Sequence, residues 1–251
     1  MVQELPRRTA SSGPALIRLL ARLTGSDVPE SRQALPDRLS QWLGWTDAIA
    51  LAGVLNGAAA TPAAPGGTAT AWEDEYTRVR ASLEKAIASG GETPPRGLRH
   101  RGKPTPMMPG VAQAQGDVDF STYRRRYGAL QQTMETGIAA LRSRLRAALA
   151  SRGAGMARLA GLDAAMEQAL GEREMTLLAG VPALLEAYFE RLKQAAAPVD
   201  ESAPLTPAAT SAWLDVFQKN MQSVMLAELD IRLQPVEGLL KALRADEPGI
   251  L

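Results

Sequence analysis

Apolar residues recur along most of this chain at steps of three and four, the spacing that puts side chains on one face of an α-helix. Leu16, Leu19, Leu20 and Leu23 make one such stripe, opened by Pro14 and closed by Gly25. A second runs from Leu35-Pro36 through Leu39, Trp42, Leu43, Thr46, Ile49, Ala50 and Val54 to the stop at Asn56-Gly57. A third, over 71–88, carries Trp72, Tyr76, Val79, Leu83 and Ile87. Period-two alternation, the mark of a half-buried strand, occurs nowhere. The pattern therefore predicts an all-α fold.

The fourth segment is the most regular. After a cap at Asp119 or Ser121 it places Phe120, Tyr123, Tyr127, Leu130, Met134, Ile138, Leu141, Leu145 and Leu149 on one seam. About four heptads of this kind make a coiled-coil-like stripe, roughly 45 Å long at 1.5 Å per residue. A break over 151–155 leads to a fifth segment: Met156, Leu159, Leu162, Met166, Leu170, Leu177, Val181, Leu184, Leu185, Tyr188 and Leu192, with a kink expected at Gly180-Val181-Pro182. The sixth starts at Thr206-Pro207 and passes through Trp213, Phe217, Met221, Val224, Met225 and Ile231, with a kink expected at Pro235, to Leu239, Leu240 and Leu243. The expected architecture is an elongated helical bundle built on a long antiparallel hairpin of the fourth and fifth segments. With the turn near Gly153, Arg142 should face Asp163 and Glu167, and Tyr127 should fall between Leu177 and Val181.

Three stretches rich in Pro, Gly and Ala, residues 57–70, 89–116 and 195–205, read as linkers. The organisation expected is an N-terminal helical segment (1–57), a linker and helix (58–89), a Pro-rich basic linker (90–116), the hairpin (117–195), and a short linker with a C-terminal helix packed on the hairpin (196–251). No internal repeat is found.

Composition supports the helical reading, since the hydrophobic residues are mostly Ala and Leu and aromatics are only 4%. With no cysteine, disulfides, zinc–thiolate sites and cysteine nucleophiles are excluded. The apolar run near the N-terminus is broken by Arg18 and Arg22, so no secretory signal is read there. The longest uncharged stretch, 48–72, holds two prolines and several glycines and cannot span a bilayer as one helix. A cytoplasmic location is the expectation. Net charge is only +1 but uneven: residues 117–152 carry seven Arg or Lys against three Asp or Glu, and 200–251 four against eight.

Few residues invite chemistry. The single histidine, His100, lies in the Pro-rich linker, where nothing fixes its tautomer. Glu73-Asp74-Glu75 are expected in the first turn of a helix, where the dipole favours negative charge. A di-metal bundle needs Glu-x-x-His motifs that the chain lacks, and no phosphate-binding glycine loop is present. Neither a catalytic residue, a cofactor nor a metal is expected. Arg96, Arg99, Arg101 and Lys103 form a basic group that could touch an anion. The most distinctive text is Trp42-Leu43-Gly44-Trp45-Thr46-Asp47. Read as one helix, it puts both tryptophans on one face, with Gly44 letting another backbone approach. The segment reads first as a tightly packed core corner; in the functional reading Trp42, Trp45 and Asp47 are the candidate contact with a protein partner, because tryptophan is enriched in binding hot spots.

The block 14–23, the run 28–33, the stretch 39–57 with its Trp-Leu-Gly-Trp-Thr-Asp core, and the strings 166–174 and 227–240 together resemble a family of uncharacterised proteobacterial proteins defined only as a domain of unknown function. The resemblance covers the helices and leaves out the linkers. It brings no catalytic residue. It implies an accessory part of an envelope-associated assembly. The expected function is thus a non-enzymatic, cytoplasmic helical interaction protein within a larger bacterial assembly. The alternative is weak nucleic-acid binding through the basic linker and the Arg-rich fourth helix, although nucleic acid is not the expected partner. A homodimer in which basic and acidic faces meet is the other way to satisfy the charge asymmetry.

Overall fold

The computed structural model describes residues 14–26, 35–57, 67–90, 119–197 and 207–246. Among them are eight helices and no strand: α1 (Ala15–Thr24), α2 (Leu35–Trp42), α3 (Trp45–Asn56), α4 (Ala69–Ala88), α5 (Ser121–Ala150), α6 (Ala154–Ala179), α7 (Val181–Ala196) and α8 (Pro207–Ala245). The chain is all-α, as its periodicity predicts. No described helix is long and apolar enough to cross a membrane.

Two long helices make the centre. α8, at 39 residues, extends about 58 Å, and α5, at 30 residues, about 45 Å. The predicted α5 stripe is buried from Tyr127 through Leu149. It meets Phe217, Val224, Met225, Leu229, Leu233, Val236, Leu240 and Leu243, all on the buried side of α8. α4 packs on both, through Leu83 and Ile87. At one end the core is aromatic: Phe120, Phe189, Trp213 and Phe217 stand with ring centroids 5.0 to 6.0 Å apart, mostly edge to face. Offset and edge-on geometries suit ring quadrupoles, each such pair contributing about 0.5–1.5 kcal/mol beyond burial.

Polar contacts give the relative sense of the helices. Arg142 Nη2 of α5 lies 2.7 Å from Asp163 and its Nη1 3.2 Å from Glu167, both on α6. Farther back on α5, Gln131 donates to the Leu178 carbonyl, and Arg124 pairs with Glu186 of α7. Partner numbers therefore fall along α6 and α7 as they rise along α5. Along α8 they rise with α5, from Tyr123–Gln218 through Tyr127–Glu228 to Arg152 on the Leu243 carbonyl. On α4 they fall as α8 rises, from Arg80–Asp230 through Tyr76–Glu237 to Glu73–Arg244. The two carboxylates expected opposite Arg142 are its partners within one chain. Gly153, at φ +135, makes the turn that brings them there.

Several expectations are corrected. The second helical segment is two helices, broken at Leu43-Gly44. Gly44 is a poor helix former, and Asp47 three residues on accepts its backbone N–H at 2.9 Å, so a new helix starts instead of the old one continuing. Trp42 and Trp45 consequently share no helix face. The close backbone approach expected at Gly44 occurs at Gly161: a Cβ there would stand 3.0 Å from Val54 Cγ1, so α3 lies tight against α6. α4 begins two residues earlier than expected, capped by the Thr68 hydroxyl, which accepts from the Ala71 N–H. Glu73 to Glu75 thus miss the first turn. Glu73 pairs with Arg244 and Glu75 with Arg144.

The seam of the fifth segment also differs. It breaks into α6 and α7 at Gly180, where a kink was expected. Its buried positions are Ala157, Ala160, Leu178, Val181, Leu185 and Phe189. Leu177 is 65% exposed, and Leu159 and Leu184 are exposed too. Leu177 therefore does not join the seam beside Tyr127, whose hydroxyl turns to Glu228 of α8. α8 continues through Pro235 without ending.

Candidate functional site

Two surfaces and one buried cluster carry the unusual chemistry. The first surface is the α2–α3 corner. α3 buries none of its residues, and Trp45 (80% exposed), Ile49 and Leu55 stand out as large exposed apolar groups. Beside it Trp42 is half-buried between two guanidinium groups, Arg38 on its own helix at 5.5 Å from the ring centroid and Arg173 of α6 at 4.9 Å. These are cation–π distances, so Trp42 ties α2 to α6. Asp47 is occupied as the cap of α3. Of the three residues expected to bind a partner, Trp45 alone offers its side chain freely.

The second surface is a cleft among α5, α6 and α8, with a volume of about 580 Å³. Ile138, Met166, Leu170 and Met175 supply apolar lining, and Pro235 of α8 forms part of one wall. Around it stand Glu135, Glu172 and Glu174, none ion-paired among the described residues, together with Asp163 and Glu167. The last two hold Arg142 and Arg146 in a four-membered cluster. Burial works against the Arg142 charge, but Asp163, Glu167 and Glu174 outweigh it and raise its pKa above the usual value.

The buried cluster was not anticipated. Glu228 is wholly buried in α8 and accepts from Tyr127 Oη at 2.6 Å, Gln131 Nε2 at 2.9 Å and Arg232 Nε at 2.9 Å. Burial, reinforced by the neighbouring Glu228 carboxylate, pushes the Tyr127 phenol well above its ordinary value. Each pair comes from one helix at i, i+4: Tyr127 with Gln131, Glu228 with Arg232. The signal in the sequence is a glutamate in phase with Met221, Val224 and Met225 on an apolar stripe.

The basic residues of α5 are largely engaged. Arg124, Arg142, Arg144 and Arg146 pair with carboxylates, and Arg126 donates to the Ser89 carbonyl. The candidate anion-binding residues Arg96, Arg99, Arg101 and Lys103 lie outside the described residues, as does His100. Among the described residues no group of His, Cys, Asp or Glu is arranged to hold a metal ion.

A family model for proteins of unknown function matches residues 1–245, nearly the whole chain. The chain belongs to the DUF3348 family. No curated protein and no solved structure matches it. Every feature above, from the Trp45 face to the Glu228 cluster, falls inside the stretch that defines DUF3348.

Proposed function

We propose that this DUF3348 chain is a non-enzymatic helical interaction protein, an accessory component of a larger bacterial assembly, acting in the cytoplasm. The observation that carries the reading is α3: a helix with no buried residue that presents Trp45, Ile49 and Leu55 outward. A helix of that composition is expected to bury a face, and aromatic side chains dominate the energetics of protein contacts. In this reading a hairpin of α5 with α6 and α7 is the rigid frame, flanked by α4 and α8, and α3 is carried on its outer side. The family resemblance adds a place beside envelope proteins. Nucleic-acid binding is the weaker reading, because five arginines of α5 are already engaged within the chain and leave it no continuous cationic face.

The test is a photo-crosslinking amino acid at position 45, with the same group at exposed Thr122 as control, in the cells the protein comes from. The expected result is a discrete protein adduct at 45 that is absent at 122. Identical adducts at both positions, or none at 45, refute the reading.

A further inference from the structure

The α5–α6–α8 cleft has no part in the contact assigned to α3, and its chemistry is one-sided. Its floor is apolar, and two methionines in it, Met166 and Met175, are the side chains best able to repack around a guest. Its two arginines are already answered, Arg142 by Asp163 and Glu167, Arg232 by Glu228. Glu135, Glu172 and Glu174 have no ion-pair partner among the described residues; Glu174 favours the Arg142 charge from a distance, but the five carboxylates lining the cleft still outnumber its two arginines. The site is rich in acceptors and short of free donors. Phosphate-bearing guests, whether nucleic acid or anionic lipid, are repelled by it.

We propose that this cleft seats a basic amphipathic segment of a partner protein. Apolar side chains of the segment rest on Ile138, Met166, Leu170 and Met175, and its lysines or arginines meet Glu135, Glu172 and Glu174. A volume of about 580 Å³ admits a few side chains rather than a whole helix, so the segment lies along the cleft and inserts its anchors. The proposal rests on the reading of the chain as an interaction protein and names the chemistry of one partner.

The test uses the full chain and a fluorescent synthetic helix of leucine and lysine as probe. Binding is followed by anisotropy at about 0.15 M salt, where exposed charges farther apart than about 8 Å are largely screened. Three proteins are compared: the wild type, Glu135→Gln/Glu172→Gln/Glu174→Gln, and Asp74→Asn/Glu190→Gln/Asp215→Asn, which removes the same charge elsewhere. The expected result is a loss of about tenfold in affinity for the cleft variant and less than about twofold for the control, with melting curves unchanged. Equal weakening in both variants reduces the binding to bulk charge and overturns the proposal. So does displacement of the probe by spermidine at matched charge, which would make the guest a small polyamine. A cleft variant that melts early is replaced by Glu172→Lys, at an exposed rim position, which should weaken binding of the lysine-rich probe by about tenfold or more; unchanged binding overturns the proposal. The crosslink at position 45 is read independently, so failure here with an adduct retained there sinks the cleft and leaves the interaction reading standing.

Discussion

Replacing Glu228 by leucine is the sharpest perturbation that the core offers. The carboxylate has no exposure, and the Arg232 side chain beside it is only 9% exposed. Removing one partner of a buried pair leaves an uncompensated charge, at a cost of about 3–5 kcal/mol. The Tyr127 hydroxyl loses its acceptor as well, which adds about 1–3 kcal/mol. Gln131 loses less, since its amide also donates to the Leu178 carbonyl at 3.1 Å. In the double variant Glu228→Leu/Arg232→Met both charges are gone, and what remains is the orphaned Tyr127 hydroxyl with the smaller loss at Gln131. The double variant should therefore be more stable than the single one by about 2 kcal/mol or more, and adding Tyr127→Phe should bring it close to the wild type. Urea denaturation followed by far-UV circular dichroism reads these values directly, provided the slope m stays constant across the set. If the two substitutions add within about 0.5 kcal/mol, the pair is uncoupled and the argument fails. A Glu228→Leu protein that loses less than about 1 kcal/mol refutes it equally.

Two further outcomes follow from the same contacts. Asp47→Ala should cost about 0.5–2 kcal/mol of local stability by freeing the Gly44 N–H, raising amide exchange in α3 while the global urea midpoint barely moves; unchanged exchange in α3 means that the cap is idle. The Tyr127 phenol is held above its usual value near 10, so the folded chain keeps that proton after the unfolded chain has released it. Its contribution to stability is complete below that value and is lost as pH climbs beyond it, so Tyr127→Phe should flatten the fall in urea midpoint on the alkaline side, and parallel wild-type and variant curves contradict this.

What the sequence made legible follows from what a pattern of apolar residues can carry. The α5 stripe repeats without interruption, so its buried face could be named residue by residue. A turn at Gly153 then fixes which carboxylates Arg142 can reach, because a rise of 1.5 Å per residue on both helices leaves little freedom of register. The α6 seam misled because that helix is apolar around much of its circumference. Leucines such as Leu159 and Leu177 weigh heavily in a hydrophobic count, yet α6 turns Ala157, Ala160 and Gly161 toward its neighbours, since small residues let α5 and α3 come close. The break before α3 was visible in principle. Gly44 followed three residues later by Asp47 is a helix start, and reading the glycine as a packing device inside one long helix ignored that cap.

The candidate sites were hidden for a different reason. Glu228 lies on an apolar stripe, and a count of apolar positions simply passes over it. Only the arrival of Tyr127 and Gln131 from a helix about a hundred residues earlier makes a wholly buried carboxylate tenable, and that proximity belongs to the tertiary structure. The cleft has the same origin. Glu135, Glu172 and Glu174 look like ordinary surface charge on two helices until the packing of α5, α6 and α8 sets them around one apolar floor. The Arg-rich fourth segment offers no basic face for the converse reason, because five of its arginines find partners on or beside α4, α6 and α7. Among the described residues the basic side of α5 is largely answered within the chain, and the groups that this packing leaves unused are the Trp45 face and the excess carboxylates of the cleft.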